Sequence, residues 1–285
     1  MTKSCKTFTI KKKGITNKQG GIILNIVVCI KQVPDTNEVK LDPKTNTLIR
    51  DGVPSIINPD DKSGLEAALK IKDQTGAHVT VVSMGPPQAE NALREALAMG
   101  ADEAILVTDR VFGGADTWAT SCTIAGALKH LDYDLIITGR QAIDGDTAQV
   151  GPQMAEHLNL PQVTYVENIE VNEGFLTVTR QFADRYHKIK LKTPCLITTL
   201  SELAEPRFMS VGGIFEAFKK DIKIWHYEDI KDELDDSNLG LKGSPTKVKK
   251  SYPKQGKGAG VILTDLSADE AAKAILSKLE EKYII

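Results

Sequence analysis

The chain has no apolar run approaching the roughly 20 residues that a membrane-spanning helix needs, so no helical span is expected. It also lacks an excess of positive charge. Its 36 Lys and Arg are offset by 38 Asp and Glu, a formal net charge of −2, and no overall basic field is present to drive nucleic-acid binding. Four cysteines, Cys5, Cys29, Cys122 and Cys195, form no C-x-x-C pair. They read as reduced, small apolar residues of a cytoplasmic protein rather than a disulfide or zinc framework. No G-x-x-x-x-G-K-[ST] element appears, which argues against a P-loop ATPase. The five histidines lack H-E-x-x-H or other ligand spacing, so no metal site is expected. No serine or cysteine sits in a nucleophile elbow. A chain without a catalytic constellation must take reactive chemistry from a bound cofactor.

What is present describes a soluble globular protein: 285 residues, 41% hydrophobic and 26% charged, enough for one large domain with an appendage. Residues 1–24 stand apart. Lys3, Lys6, Lys11, Lys12, Lys13 and Lys18 alternate with small polar residues and precede Gly20-Gly21, without the apolar segment of a secretory signal. A disordered basic extension is expected there. From residue 25 strands and helices alternate. Ile26–Ile30, Val79–Val82, Ala104–Val107, Leu135–Thr138 and Pro194–Leu200 are short and continuously apolar. Helices are expected over Asp60–Gln74, Gln88–Met99, Asp116–Leu131 and from about Ala148. Lys31–Thr36 reads as a loop, and Val39–Leu41 with Leu48–Ile49 as a hairpin around Asp42–Asn46. Strands of this kind separated by single helices predict an α/β fold, a doubly wound, mostly parallel sheet. After Leu160 the pattern changes to alternating apolar and polar residues over Val163–Val171, Phe175–Arg180 and Tyr186–Lys192, an appended antiparallel meander. Residues 25–230 therefore read as one domain. Residues 231–285 read as a polar linker, Lys231–Gly260, and a C-terminal arm ending in a helix. That helix opens with a Ser267/Glu270 capping box and carries one apolar stripe, Ala272, Ile275, Leu276 and Leu279.

The most informative stretch runs from Ile136 to Gln153. An apolar strand passes through a turn-rich loop into a helix with Val150, Met154 and Leu158 at four-residue spacing. Backbone N–H groups at such a helix start favour an anion, most often phosphate, and Arg140 adds a positive charge. Gly139, Gly145 and Gly151 allow close backbone approach and left-handed turns. The same residues also make an ordinary βα loop, and the residues alone leave both readings open. In open α/β sheets ligands sit at the carboxyl ends of strands. Cys29–Asp35, Met84-Gly85-Pro86, Val107–Gly114 and Thr138–Gly151 fall at such ends, with Asn58-Pro59-Asp60-Asp61 entering a helix on the same side. Capping of that helix is the default role for Asn58 or Asp60. Gly256–Gly260 superficially matches a glycine-rich phosphate loop but follows a polar linker.

From Asn25 onward the chain resembles the beta subunits of electron transfer flavoproteins. The matching landmarks are Val27-Val28-Cys29-Ile30-Lys31, Asn58-Pro59-Asp60-Asp61, Ala98-Met99-Gly100-Ala101-Asp102, Gly139-Arg140-Gln141-Ala142-Ile143-Asp144 and Glu205-Pro206-Arg207. Members of this family begin with Met directly before the first strand. Leu24 stands there, so translation from a non-standard codon at Leu24 is expected. The resemblance implies a nucleotide site made of Cys29, Asn58, Pro59, Asp60, Asp61, Met84, Gly139, Arg140, Gln141, Ala142, Ile143, Asp144, Gly145, Asp146, Thr147, Ala148, Gln149 and Val150. Lys31–Thr36 and Gly145–Pro152 resemble the electron-bifurcating group, which implies FAD in that site. The alternative is the conventional arrangement with structural AMP.

The resemblance further implies NADH as electron donor, ferredoxin or flavodoxin as one acceptor, and an acyl-CoA dehydrogenase/reductase reached through the FAD of the alpha subunit. Catalysis would then belong to that complex as a whole. Arg140 is expected at the pyrophosphate or the reduced ring, with Asp144 and Asp146 at ribose hydroxyls or bracing the loop. Residues 206–220 resemble the family's partner-recognition loop, with Val211, Ile214 and Phe215 as apolar anchors. The C-terminal helix is expected to pack on the alpha subunit.

Overall fold

Five apolar runs become the centre of a nine-stranded sheet, because strands buried on both faces need no polar side. The computed structural model describes residues 24–35, 54–172, 174–247, 249, 258 and 260–285. The basic extension, the hairpin expected over residues 39–49 and most of Gly256–Gly260 lie outside the described residues. The described residues divide into two units, one running to residue 249 and one from residue 258.

In the larger unit the chain forms β1 (Asn25–Cys29), β2 (Gln32–Pro34), β3 (Ser55–Ile57), α1 (Pro59–Thr75), β4 (His78–Met84), α2 (Glu90–Met99) and β5 (Glu103–Val107). It continues with α3 (Thr117–Leu128), β6 (Leu135–Gly139), α4 (Val150–His157), β7 (Gln162–Asn172), β8 (Phe175–Gln181), β9 (Tyr186–Lys192) and β10 (Cys195–Thr199). Helix α5 (Val211–Lys219), β11 (Lys223–Trp225), α6 (Tyr227–Ile230) and α7 (Gly240–Gly243) complete it. The strand order is β11-β5-β4-β1-β6-β10-β7-β8-β9. Strands from β11 to β7 pair in parallel, and β8 and β9 add the expected antiparallel meander. From β1 the chain steps to β4 and β5 on one side, then returns to β6 on the other. In open α/β sheets ligands bind where the strand order reverses in this way, here outside the carboxyl ends of β1 and β6.

Alternation within β1 shows how both faces are filled. Ile26 and Val28 join a core with Leu65 and Leu69 of α1 and Leu93 and Leu97 of α2. Val27 and Cys29 join another with Ile124 and Leu128 of α3 and Met154 of α4. Burying each such aliphatic side chain is worth about 1.5–3 kcal/mol. The outer strand β9 exposes Lys188, Lys190 and Lys192 on alternate positions, and the other edge strand, β11, is only three residues long.

Three expectations change. Residues 32–34, expected as loop, form β2 and pair antiparallel with β3, a contact set by distant sequence. The recognition segment folds as helix α5 beyond residue 210, with the Ser210 hydroxyl accepting from Gly213 N–H at 2.9 Å. Residues 231–247, expected as linker, form short helical turns. Leu239 is buried and Leu234 partly buried beside α3 in the second core. Ser244 is also buried, its hydroxyl accepting from Asp116 N–H at 2.8 Å.

The smaller unit contains α8 (Ala268–Glu280), started by the expected capping box of Ser267 and Glu270. Its apolar residues Ile275 and Leu276 are exposed, as are Val261, Ile262, Leu263 and Leu266 before it. Among the described residues no helix is long and apolar enough to cross a membrane.

Candidate functional site

The sheet brings the strand-end segments named above together at its carboxyl edge. Asp61, in the first turn of α1, is the buried centre. Its Oδ2 accepts from Lys31 N–H at 2.8 Å and its Oδ1 from Gly139 N–H at 2.8 Å. One carboxylate thus ties the ends of β1 and β6. Burial pushes its pKa up to about 7, against the lowering effect of these bonds. Cys29 lies beneath it, buried, its thiol pushed up to about 12 by burial and by Asp61. Such a thiol is a packing group rather than a nucleophile.

Asn58 holds the 139–150 loop. Its Nδ2 donates to Gln141 carbonyl at 2.8 Å, and its Oδ1 accepts from Ile143 N–H at 3.0 Å. The amide therefore mimics a strand partner, and it makes no capping bond to α1. That corrects the capping role expected for Asn58. Pro59 begins the helix and Asp60 follows in its first turn. Lys31 Nζ donates to both oxygens of Asp144, at 2.7 and 2.9 Å. Gln141 Nε2 donates to Asp146 Oδ1 at 2.7 Å. Both loop carboxylates are thereby engaged within the protein.

The glycines divide differently from expectation. A Cβ on Gly139 would meet the Asp61 carboxylate and lie 2.8 Å from Asp60 Cβ, and one on Gly151 would lie 2.7 Å from Thr138 Oγ1 and Thr198 Cγ2. These two permit helices α1 and α4 to press on the sheet. Gly145 faces open space. The left-handed backbone belongs instead to Asp146 (φ 53°) and Ala148 (φ 52°), a strain tolerated where surrounding bonds fix the loop.

The loop ends at an open helix start. No side chain caps α4 at Gln149, and its first turn carries no acidic residue. Thr147 and Gln149 are exposed, and Ala142, Ala148 and Val150 half-buried. Met84, at the end of β4, is half-buried one strand beyond β1. Arg140 leaves β6 with its N–H donating to Thr199 carbonyl at 2.8 Å. Its Nε lies 3.3 Å from Asp60 Oδ2, yet neither buried atom makes a hydrogen bond. Burial raises the Asp60 pKa, with Arg140 opposing. Uncapped amides, a guanidinium with an unfilled donor and no free loop carboxylate suit an anion.

Two contributors escaped the sequence reading as side chains: Lys31, inside a quoted motif, and Thr199, whose hydroxyl donates toward Asp60 and Thr138 carbonyls at 3.1 and 3.2 Å. Among the described residues no cluster of His, Cys, Asp or Glu could hold a metal ion.

Val211, Ile214 and Phe215 lie apart from this crevice, on α5. They are exposed together with Phe208 and Phe218. Arg207 pins the segment that precedes them. Its guanidinium donates to Glu66 at 2.9 and 3.1 Å and to Asp73 at 2.7 Å.

The profile of the electron transfer flavoprotein domain matches residues 45–230. Over 262 residues, 92% of this chain and 100% of the relative, the sequence is 62% identical to the electron transfer flavoprotein subunit beta of Clostridium acetobutylicum. It is 55% identical to the caffeyl-CoA reductase-Etf complex subunit CarD of Acetobacterium woodii, with 92% of this chain and 100% of that one covered. It is 47% identical, with the same coverage, to the acryloyl-CoA reductase electron transfer subunit gamma of Anaerotignum propionicum.

Proposed function

The chain belongs to the electron transfer flavoprotein family as a beta subunit, and from that premise we propose that it binds FAD at the β1/β6 crevice. In this reading it works in a heterodimer with an alpha subunit. The assembly couples NADH oxidation to reduction of ferredoxin or flavodoxin and of an acyl-CoA dehydrogenase/reductase partner. When bound, the flavin supplies a ring that accepts a hydride and releases electrons singly.

The observation that carries the reading is the braced, uncapped loop. Asn58, Asp61 and Lys31 fix residues 139–146 by bonds within the protein. The amides at the start of α4 are thereby left for a diphosphate. Because Lys31 and Gln141 engage Asp144 and Asp146, these carboxylates brace the loop instead of repelling the phosphates. Arg140 supplies the positive charge, with Asp60 Oδ2 3.3 Å from its Nε. Cys29 and Met84 form the apolar floor toward the β1 and β4 ends. Relatives named as subunits of caffeyl-CoA and acryloyl-CoA reductases support the acyl-CoA partner class.

The exposed residues of α5, Val211, Ile214 and Phe215, present an apolar contact surface for that partner. The exposed arm before α8, with the helix stripe, serves as the alpha-subunit contact, since so many uncovered aliphatics call for a lasting partner.

Nucleotide extraction from the purified heterodimer tests the cofactor. Two FAD per heterodimer is the expected result. One FAD with one AMP would assign this chain the conventional, structural role.

A further inference from the structure

Helix α5 is built inside out. Val211, Ile214, Phe215 and Phe218 recur at helical spacing as one apolar stripe, yet all four are exposed. Of its nine residues only Ala217 is buried. A surface helix is ordinarily held by burying such a stripe, and so short a helix is marginal without packing. Gly212 and Gly213 in its first turn weaken it further. The helix therefore depends on bonds made to its back and to its ends.

Helix α2 supplies them. Its backbone lies so close to α5 that a Cβ on Gly213 would collide with the Ala98 carbonyl oxygen. The N-terminal end of α5 has its own cap in Ser210. The C-terminal end lacks one of its own: Lys220 takes an extended backbone (φ −84°, ψ 136°), without the left-handed residue that would turn the chain back onto the last carbonyls. Arg94 of α2 fills that role. Its Nη1 donates to the carbonyls of Ala217 and Lys220 at 2.7 and 2.6 Å, which places positive charge at the negative end of the helix. Glu90, one turn earlier on α2, accepts from its Nε and Nη2 at 3.3 and 3.1 Å and steadies the guanidinium. The same guanidinium lies 5.8 Å from the ring centroid of Phe218, so it reaches the apolar stripe as well as the helix end. Lys220 Nζ closes the junction on the Ala101 carbonyl at 2.7 Å.

We propose that Arg94 is a positioning residue for partner docking: from behind the contact surface it closes α5 and keeps Val211, Ile214, Phe215 and Phe218 in one preformed face. A preformed face spares the partner the cost of ordering the helix. A face formed only part of the time binds with its affinity lowered by that fraction. The proposal rests on the reading of this face as the contact for an acyl-CoA dehydrogenase/reductase.

Arg94→Ala and Arg94→Lys test it in the alpha–beta heterodimer, since alanine and lysine are both good helix formers and leave α2 intact. A purified acyl-CoA dehydrogenase is the titrated electron acceptor, and hydrogen exchange is followed in parallel. In Arg94→Ala exchange should rise over residues 211–220 and KM for the dehydrogenase should rise roughly tenfold, the effect of one lost charge-assisted hydrogen bond. Turnover at saturating dehydrogenase and flavin per heterodimer should hold. Arg94→Lys should regain most of the lost KM, because both bonds come from one nitrogen that an ammonium can replace. An alanine variant with wild-type KM overturns the proposal, as does a raised KM without a local change in exchange, or a lysine variant as impaired as the alanine one. A wild type that passes no electrons to the dehydrogenase overturns the partner reading and this proposal with it. With an active wild type the variants alone decide, so the two failures are told apart.

Discussion

The two flanks of Arg140 treat charge in opposite ways. On the β1 side three carboxylates at the loop are satisfied by the protein: Asp61 by two backbone N–H groups, Asp144 by Lys31, Asp146 by Gln141. On the β7 side Arg180 and Arg140 keep buried donors unfilled. The first flank is scaffold, whose geometry is complete without a ligand. The second leaves the Nε donors of two guanidinium groups without an acceptor. The contrast recurs around α5, where Arg207 is engaged by Glu66 and Asp73 while the neighbouring Phe208, Val211 and Phe215 stand exposed. Bracing and exposure thus sit side by side, and function is expected where the bracing stops.

The largest effect should come from breaking the scaffold. Asp61→Ala leaves the N–H groups of Lys31 and Gly139 without their acceptor, each at a cost of about 1–3 kcal/mol. Chemical denaturation should show the summed loss, and nucleotide should be depleted from the purified heterodimer. Retention of both stability and nucleotide would mean that the loop does not depend on this carboxylate. Arg207→Ala comes next. It strands the buried Glu66 carboxylate, at a cost on the order of 3 kcal/mol. Hydrogen exchange should rise over residues 206–220 while flavin content holds, and uniform exchange across the chain would count against a local brace.

A smaller effect is a slope against pH. Asp61 has its pKa raised from its ordinary value to about 7, and Asp60 is raised as well. The folded state therefore holds more protons than the unfolded chain between about pH 4 and 7, so stability falls as pH rises through that window. Asp61→Asn should flatten the slope in denaturation midpoints measured from pH 5 to 8. A midpoint rising over this range in the wild type would reverse the assignment. The smallest effect is an absence of reaction. Cys29 and Cys195, each pushed up to about 12 by burial, should resist iodoacetamide at pH 8 in the native protein, as read by peptide mass spectrometry. Rapid labelling of Cys29 would show that the floor of the crevice opens to solvent.

Much of this architecture is legible in the residues because parallel, doubly covered strands need unbroken apolar runs, and these stand out between helices. The crevice was legible for a related reason: its loops follow those strands directly, so the strand ends gather them. What escaped depends on pairings between distant segments. Gln32–Pro34 is a strand only because Ser55–Ile57 lies beside it. Residues 231–247 are polar, and only Leu234 and Leu239 reveal that they fold against α3. The closing of α5 by Arg94 was invisible because the two helices meet only in the folded chain, and an arginine inside one helix leaves no local sign that it caps another. Asn58 was misread for the opposite reason: its position before a helix matches a capping rule, while tertiary contacts gave its amide another task.

The lysines of β9 bear on how the protein survives at high concentration. A nine-stranded sheet that ends, among the described residues, in an open strand offers its unpaired backbone to any second molecule, a route to fibres. Lys188, Lys190 and Lys192 alternate along that rim, so an approaching copy would bring like charge against like charge before any backbone bond could form. At the opposite rim the three residues of β11 give too short a template to recruit another strand. Resistance to edge-to-edge pairing is thus written into the margins of the sheet, independently of whatever its centre carries.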